Sequence, residues 1–488
     1  MKLTSLIRYL QHSVLIFVPA LACASIASAA EVSENESPII FQAQGGDKVS
    51  AFEGWLDVPE NRQRSNSRNI KLKYVRFPSS NPSNKNAPPI IYLAGGPGGS
   101  GIETAKRQRF PLFMAMREFG DVIALDQRGL AEDRLPCLSN TTIPADEVVD
   151  NDRHTALYKK ALKECLVKWQ ERGVDIYGYT TRESVLDLGA LRQHLGAQKI
   201  TLWGISYGSH LALAALKEMH DRIDRVVLAS VEGLGQTIKL PARTDRYFDR
   251  LQTAIDADSG WKEKYPDVIS LVRKVHDALD KKPLTMSISK NGTPVTIVFQ
   301  KRDMQSVASS MIADPQSALM LLGIYTQLSH GKHDTLTQLL SQYAEPEKPI
   351  YFSGMSAAMD IASGITEERY KLVMQQIKTG LLADRLNFGL HHFDDIPGID
   401  LGDSFRVDPI SDVQTLVLSG TLDGRTYIES QAEAVAGLSN AKIIKIENAG
   451  HNLFMSSDEV GEAIKTFMRG EKLEKNIISI FLPENVAN

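Results

Sequence analysis

The spacing of hydrophobic residues changes along the chain. Residues 51–56 and 70–77 alternate between apolar and polar side chains, which predicts two half-buried antiparallel strands after a polar, loosely structured stretch at 31–46. Later runs are apolar at nearly every position, as is typical of strands buried on both faces. They cover residues 90–93, 122–125, 200–203, 226–229, 415–418 and 442–446. Helical stretches separate these runs, so we predict an α/β fold with a mostly parallel sheet flanked by helices.

A helical signal precedes the run at 200–203. Thr180 and Glu183 fit a capping box, apolar residues follow at helical spacing, and Gly196 can end the helix. A short loop then leads into the next predicted strand, as a βαβ unit requires.

Between residues 240 and 405 the strand pattern is interrupted. Helical periodicity predicts helices over residues 267–279, 303–312, 316–328, 335–343 and 367–378. One hairpin is predicted where Asn291-Gly292 separates two alternating runs. We interpret residues 240–405 as a mainly helical cap domain, inserted into an α/β core that comprises residues 30–239 and 406–488.

Residues 1–29 have the layout of a secretory signal peptide. Lys2 and Arg8 make the start positive, an apolar run follows, and Ala27-Ser28-Ala29 offers a cleavage site. A membrane anchor is one alternative, although the apolar run is short for a span, and lipid attachment at Cys23 is another. We therefore expect an exported protein, periplasmic or secreted, that has no membrane span once the signal is removed.

Composition and cysteine content add further constraints. The formal net charge of −4 gives no reason to expect nucleic acid or an anionic membrane surface as a partner. Cys23 lies in the predicted signal, which leaves Cys137 and Cys165 as a pair in an oxidising compartment. We predict a disulfide between them; two buried free thiols are the alternative. Without a CxxC motif or a neighbouring His pair we expect no metal and no cofactor, and the oligomeric state stays open.

A G-x-S-x-G sequence, Gly204-Ile205-Ser206-Tyr207-Gly208, joins the predicted strand at 200–203 to a helical run. A turn this sharp strains the backbone of Ser206, requires small flanking residues and lifts the hydroxyl above the sheet. The N–H of Tyr207 would then lie at a helix N-terminus, where negative charge is stabilised. We predict Ser206 as a nucleophile; a chance match in a Gly-rich loop is the alternative.

Asp423 and His451 follow the last two predicted strands, in the order Ser, Asp, His along the chain. Carboxyl ends of parallel strands meet at one edge of a sheet, so these side chains should converge near Ser206. His451 would accept the serine proton, and Asp423 would hold the imidazole in the right tautomer. The alternative for Asp423 is an ordinary turn or helix-cap residue.

The glycine-rich segment 95–99 follows the first buried strand, where a backbone N–H can approach a substrate oxygen. We predict an oxyanion hole formed by the N–H groups of Gly96 and Tyr207, with Gly95 as the alternative to Gly96. A flexible turn or a phosphate loop would be competing interpretations. Ile102-Glu103 does not fit a phosphate loop, which needs Lys followed by Ser or Thr.

Three of these segments resemble a known family. The sequences at 94–99 (Ala-Gly-Gly-Pro-Gly-Gly), 125–129 (Leu-Asp-Gln-Arg-Gly) and 204–208 are similar to those of the proline iminopeptidase and tripeptidyl aminopeptidase group of serine peptidases. The likeness extends over residues 52–467 and is weakest in the predicted cap. It implies the α/β-hydrolase fold, an exopeptidase that releases residues from the N-terminus of peptides, and the triad predicted above.

An aminopeptidase also needs a carboxylate near its nucleophile to pair with the ammonium group of the substrate. Glu232 follows the strand at 226–229 and should lie at the same edge of the sheet as Ser206. We take Glu232 as the candidate, against the alternative of an ordinary loop glutamate, with Glu367 and Glu368 from the cap as second choices.

Two other functions compete with the aminopeptidase. A carboxylesterase would use the same triad on a small ester and would need an apolar acyl pocket. A binding protein that kept the fold without catalysis is disfavoured by the intact triad. The expected partner is therefore a peptide or a small ester.

Overall fold

The computed structural model describes residues 36–131 and 134–484, so the predicted signal segment lies outside the described residues. The strands are β1 Glu36–Gln42, β2 Lys48–Pro59, β3 Asn69–Phe77, β4 Ile90–Leu93, β5 Val122–Leu125, β6 Pro136–Thr142, β7 Ile200–Ser206, β8 Ile223–Val231, β9 Leu284–Lys290, β10 Thr293–Phe299, β11 Pro349–Ser353, β12 Gln414–Gly420, β13 Ala441–Glu447 and β14 Ile477–Ser479.

The α-helices follow the same chain order. They are α1 Gly101–Lys106, α2 Phe110–Met116, α3 Asn151–Glu171, α4 Thr181–His194, α5 Tyr207–Met219, α6 Pro241–Asp256, α7 Ser259–Lys264, α8 Val268–Lys281, α9 Lys301–Met311, α10 Pro315–Ser329, α11 Asp334–Tyr343, α12 Gly354–Ser363, α13 Glu367–Gln376, α14 Asp403–Arg406, α15 Ile428–Ala434 and α16 Asp458–Met468. Within the described ranges, none of these helices is both long and apolar enough to cross a bilayer.

A 10-stranded sheet in the order β1-β2-β3-β5-β4-β7-β8-β12-β13-β14 forms the centre of the molecule. Neighbours from β5 to β14 run parallel, whereas β1, β2 and β3 pair antiparallel with one another and β3 pairs antiparallel with β5. The prediction of a mostly parallel sheet flanked by helices is confirmed. Because β4, β7, β8, β12 and β13 are parallel, the loops after them open at one edge.

Each buried strand contributes side chains to two hydrophobic cores. Ile91 and Leu93 of β4 pack in the core that contains α4 and α5, whereas Ile90 and Tyr92 pack in the core that contains α2 and α16. Alternate residues of a strand face opposite sides of its sheet. The uniformly apolar runs in the sequence reflect this burial on both faces.

The prediction of a loose stretch at 31–46 is wrong for residues 36–42. Residues 36–42 form β1, which pairs antiparallel with β2. Phe41 is buried and meets Phe77 edge to face, with ring centroids 4.9 Å apart. The short apolar run around Phe41 stabilises an edge strand although polar residues surround it.

The segment between β8 and β12 is mainly helical and has its own hydrophobic core. The predicted helices occur here as α8 to α11 and α13, with ends shifted by a few residues. The predicted hairpin is β9–β10, and Asn291 and Gly292 both adopt positive φ at its turn. One strand in this segment was not predicted: β11 pairs with β6, so the segment shares a two-stranded ribbon with the first part of the chain.

A disulfide joins Cys137 of β6 to Cys165 of α3, which confirms the predicted pair. The bridge attaches the β6–β11 ribbon to α3, whose buried residues belong to the core that contains α4 and α5. Since β11 continues directly into α12, the ribbon determines where α12 begins.

Buried ion pairs hold the start of α4. Arg128, which is fully buried, contacts the Asp187 carboxylate at 2.8 Å. Thr180 accepts a hydrogen bond from the N–H of Glu183, but the Glu183 carboxylate binds Arg62 rather than completing the predicted capping box. The second bond of the predicted capping box is replaced by this contact with Arg62. Because Arg62 lies in the β2–β3 loop, distant in sequence, the local pattern could not predict the contact.

Candidate active site

Ser206 occupies the sharp turn between β7 and α5. Its backbone has φ 56° and ψ −129°, a strained combination for a residue with a side chain. A Cβ on Gly204 would lie 2.5 Å from the Gly208 carbonyl oxygen, and a Cβ on Gly208 would lie 2.0 Å from the Leu93 oxygen. Glycine is therefore required on both sides, and the partly exposed Ser206 is presented at the carboxyl edge of the sheet.

His451 and Asp423 form a pair at the same edge. Nδ1 of His451 is 3.0 Å from both carboxylate oxygens of Asp423. Asp423 is fully buried, and its carboxylate also accepts hydrogen bonds from the backbone N–H groups of Arg425 and Thr426 at 2.8 and 2.9 Å. The pair leaves Nε2 of His451 as the nitrogen available to a reacting group.

Burial raises the pKa of the Asp423 carboxyl, but the charge and hydrogen bond of His451, with the backbone N–H groups of Thr426 and Arg425, outweigh it and lower that pKa below its ordinary value. Asp423 is therefore ionised across the neutral range. An ionised, buried carboxylate favours the tautomer of His451 that carries its proton on Nδ1.

The loop of His451 is held from two sides. The Ser230 hydroxyl donates to the His451 carbonyl at 2.7 Å, and the His451 N–H donates to the Ala313 carbonyl at 2.8 Å. Ser206 pairs with Val231 in the sheet, so the base loop lies over the strand next to the nucleophile. No hydrogen bond joins the Ser206 hydroxyl to the imidazole here, and in substrate-free enzymes such contacts are often loose.

The glycine-rich loop after β4 touches the nucleophile. A Cβ on Gly95 would lie 3.0 Å from Ser206 Cβ and 3.6 Å from its hydroxyl oxygen. Within the part of the chain described, the N–H groups of Gly95 and Gly96 donate to no protein acceptor. The N–H of Tyr207 lies in the first turn of α5, where helical N–H groups have no intrahelical acceptor. Unpaired donors therefore lie near Ser206 on both sides predicted from the sequence.

Glu232 lies at the predicted edge, but its carboxylate already has a partner. Lys239 Nζ is 2.5 Å from Glu232 Oε2, and the Glu232 N–H donates to Ser209 Oγ at 2.9 Å. Burial raises the pKa of Glu232, but the charges of Lys239 and His210 and the hydrogen bond from Lys239 outweigh it and lower that pKa. The charge of His451 also contributes to this lowering of the pKa of Glu232.

The second-choice carboxylate Glu367 projects into solvent. Its side chain is 80% exposed and forms an ion pair with Lys371 at 2.5 Å within α13.

A residue that the sequence analysis did not select, Asp360, lies in α12 next to these groups. Glu232 and Lys239 act on Asp360 by their charges, and Asp360 in turn acts on Tyr207. One signal could have identified it: Asp360 is the only charged residue in the otherwise small and apolar sequence of α12, GMSAAMDIAS. An isolated acid in such a helix needs a functional or structural partner.

Across residues 36–131 and 134–484, no group of three or more His, Cys, Asp or Glu side chains is placed to hold a metal ion. The site instead brings together a hydroxyl, an imidazole, a buried carboxylate and free backbone N–H groups, which are the components of acyl transfer through a serine.

The chain is similar to known hydrolases over parts of its length. A family model described as the alpha/beta hydrolase fold matches residues 88–273, and a model described as TAP-like protein matches residues 402–477. The serine protease Hip1 of Mycobacterium tuberculosis is 29% identical over 185 residues, which are 36% of this chain and 35% of that protein. The tripeptidyl aminopeptidase of Streptomyces lividans is 23% identical over 222 residues, or 44% of this chain and 40% of that protein.

These curated relatives are thus matched over well under half of their own length. Among solved structures, an epoxide hydrolase from an endophytic Streptomyces is similar at 14% identity and a TM-score of 0.38, covering 92% of this chain and 100% of that one. The family models, together with the observed sheet, confirm the predicted fold. The chain thus has the α/β-hydrolase fold, and its matches to the alpha/beta hydrolase model and the TAP-like model support a serine hydrolase.

Proposed function

We propose that the chain is an exported serine aminopeptidase that releases residues or short peptides from the N-terminus of its substrates. The observation that carries the proposal is the Asp423–His451 pair, with Nδ1 of His451 3.0 Å from the carboxylate, at the sheet edge where Ser206 occupies a strained turn. Relatives named as a serine protease and a tripeptidyl aminopeptidase support peptides as the substrate class.

The reaction proceeds through an acyl-enzyme. His451 Nε2 accepts the Ser206 proton while the serine oxygen attacks the carbonyl carbon of the scissile bond. His451 then donates that proton to the leaving amine, and the C–N bond breaks. A water molecule, deprotonated by His451, attacks the ester carbonyl, and the proton returns to Ser206 as the acid product leaves. Asp423 stabilises the imidazolium formed in both halves of the reaction.

Backbone donors stabilise the negative oxygen that forms in each half. The N–H of Tyr207 and the N–H of Gly96 fill this role, with the adjacent Gly95 N–H as the alternative. A single donor of this kind contributes about 3 kcal/mol of transition-state stabilisation. Gly96 has φ 128°, a conformation that only glycine adopts without strain, so no side chain blocks the approach of the substrate.

Export and the cap complete the proposal. The N-terminal sequence pattern and the disulfide between Cys137 and Cys165 both fit an oxidising compartment. Residues 240–405 act as the cap, since α12 lies against the oxyanion loop and the α9–α10 turn lies against the base.

The test offers the purified protein aminoacyl- and tripeptidyl-anilides with free amino groups, their N-acetyl derivatives and short-chain esters. We expect release from the free-amino peptides, and loss of all turnover in Ser206→Ala with an unchanged circular dichroism spectrum. Hydrolysis of esters alone would reject the peptidase in favour of a carboxylesterase. Turnover of no substrate class by a folded protein would favour a non-catalytic binding protein.

A further inference from the structure

The cleavage of a peptide next to its N-terminus poses a charge problem. The substrate brings an ammonium group into a partly buried site, and a desolvated cation needs a negative partner there. Glu232, the partner predicted from sequence, is already paired with Lys239 at 2.5 Å. Together these two side chains contribute no net charge, so the charge that receives the ammonium group has to come from elsewhere.

Asp360 is the nearby carboxyl without a partner. No described residue donates a hydrogen bond to its side chain or forms an ion pair with it, and the side chain is partly exposed. The charged groups that act on it are Glu232 and Lys239. When Asp360 is ionised, the net charge of Glu232, Lys239 and Asp360 together is therefore negative. The ammonium group of a substrate would neutralise it.

The position of α12 brings Asp360 to the reacting centre. Ser356 donates a hydrogen bond to the Pro97 carbonyl in the oxyanion loop at 2.8 Å. Met359, the residue before Asp360, accepts a hydrogen bond at Sδ from the Tyr207 hydroxyl at 2.9 Å, and Tyr207 directly follows the nucleophile. Asp360 therefore belongs to a helix that contacts the oxyanion loop and the side chain of the residue that follows the nucleophile.

We propose that Asp360 is the specificity residue that receives the ammonium group of the substrate. The Glu232–Lys239 ion pair forms the neighbouring part of the same binding site. This inference rests on the proposed aminopeptidase function. Burial and the charge of Glu232 raise the pKa of Asp360 to about 8, and Lys239 offsets only part of that rise. A bound cation would give Asp360 the partner that it lacks and would favour its ionised form. This behaviour is expected of a side chain that binds a charged group.

The test compares Asp360→Asn with the wild type on a free-amino tripeptidyl anilide, its N-acetyl derivative and a short-chain ester. We expect KM for the free-amino peptide to rise by about tenfold or more, as for loss of a hydrogen bond to a charged group. The ester and the N-acetyl peptide should be hydrolysed as before. Asp360→Glu should restore part of the preference, and the control Glu263→Gln, an exposed acid in α7 of the same segment, should change nothing.

Two outcomes separate the two proposals. If the wild type prefers free amines and Asp360→Asn keeps that preference, the role of Asp360 is rejected and the aminopeptidase stands. If the wild type hydrolyses only esters, the aminopeptidase fails, and inhibition of ester hydrolysis by alanine amide then tests Asp360 directly. Equal inhibition of wild type and Asp360→Asn would overturn the assignment, whereas inhibition weakened by about tenfold would support it.

Discussion

Two parts of the segment between β8 and β12 reach the proposed active site, and they do so in different ways. The turn between α9 and α10 contacts the base and acid loops through backbone: the Ala313 carbonyl accepts from the His451 N–H, and the Ile312 carbonyl would lie 2.2 Å from a Cβ on Gly424. The helix α12 contacts the nucleophile side through side chains, namely Ser356 and Met359.

The difference separates two tasks. A backbone contact depends on the shape of the chain, so the α9–α10 turn can hold the Asp423 and His451 loops whatever its own side chains are. Side-chain contacts change with the sequence, so α12 is where the choice of substrate can be altered. Substitutions in the α9–α10 turn or in the loops that it contacts should therefore affect kcat for every substrate. Substitutions in α12 should affect KM for particular substrates.

The largest effect is expected when Asp423, the buried carboxylate on the side that the α9–α10 turn contacts, loses its charge. In Asp423→Asn the amide would face the N–H groups of Arg425 and Thr426 and would favour the wrong imidazole tautomer. We expect kcat to fall by about 10⁴ for peptides and esters alike. Steady-state kinetics with both substrate classes measure this, with the exposed Asp412→Asn as the control. A loss confined to peptides would contradict the division of tasks.

A smaller effect is expected when the contact between the turn and the acid loop is disturbed. In Gly424→Ala the new methyl group would meet the Ile312 carbonyl, so that the two chain segments must move apart. We expect about 1–3 kcal/mol lower stability and a lower kcat for all substrates. Thermal unfolding and ester kinetics check this. Gly461→Ala provides the matched control, because nothing lies within 4 Å of that added methyl group in α16.

A third effect, on stability rather than on activity, depends on pH and belongs to the α12 side. The pKa of Asp360 is raised from 3.8 to about 8 in the folded protein, so between these values the unfolded chain ionises while the folded one keeps its proton. The contribution of Asp360 to stability is thus complete below pH 3.8 and is lost as the pH rises through about 8. Asp360→Asn should stabilise the protein relative to wild type at pH 8 more than at pH 5, as measured by unfolding in denaturant.

The same group predicts a pH dependence of substrate binding. Glu232 and Lys239 act on Asp360 by their charges, Asp360 acts on the phenol of Tyr207, and the charge of His451 acts on Glu232. Ionised Asp360 binds the ammonium form of the substrate, so kcat/KM for free-amino peptides should gain a limb rising towards pH 8 that Asp360→Asn lacks. A limb that persists in the variant, or that also occurs with esters, would assign the titration to another group.

Local sequence patterns were sufficient for the central strands of the sheet and for much of the site. Short apolar runs identified its central parallel strands, and the turn around Ser206 needs glycines that are visible in five consecutive letters. Position after a strand was enough to bring Asp423 and His451 together. These features depend on residues close in sequence or on the parallel order of strands.

Features that depend on distant pairing were missed. The strand β6 is buried and exposed in alternation, but its sequence, PCLSNTT, is mostly polar, and its partner β11 lies far along the chain. Without that pair the location of α12 cannot be inferred, and Asp360 cannot be placed beside Glu232. The pairing of Glu232 with Lys239 was missed for a related reason, since it depends on how the loop after β8 folds back.

The β6–β11 ribbon also affects the order in which the parts of the proposed site can form during synthesis of the protein. β6 leaves the ribosome before the nucleophile turn, but its partner follows only after α11, so the edge of β6 waits unpaired while most of the inserted segment emerges. The helix α12, which contains Asp360, is therefore synthesised after the strand β7 and the helix α5 on either side of Ser206. A nascent chain stopped before Pro349 would expose the nucleophile turn without the helix that faces it.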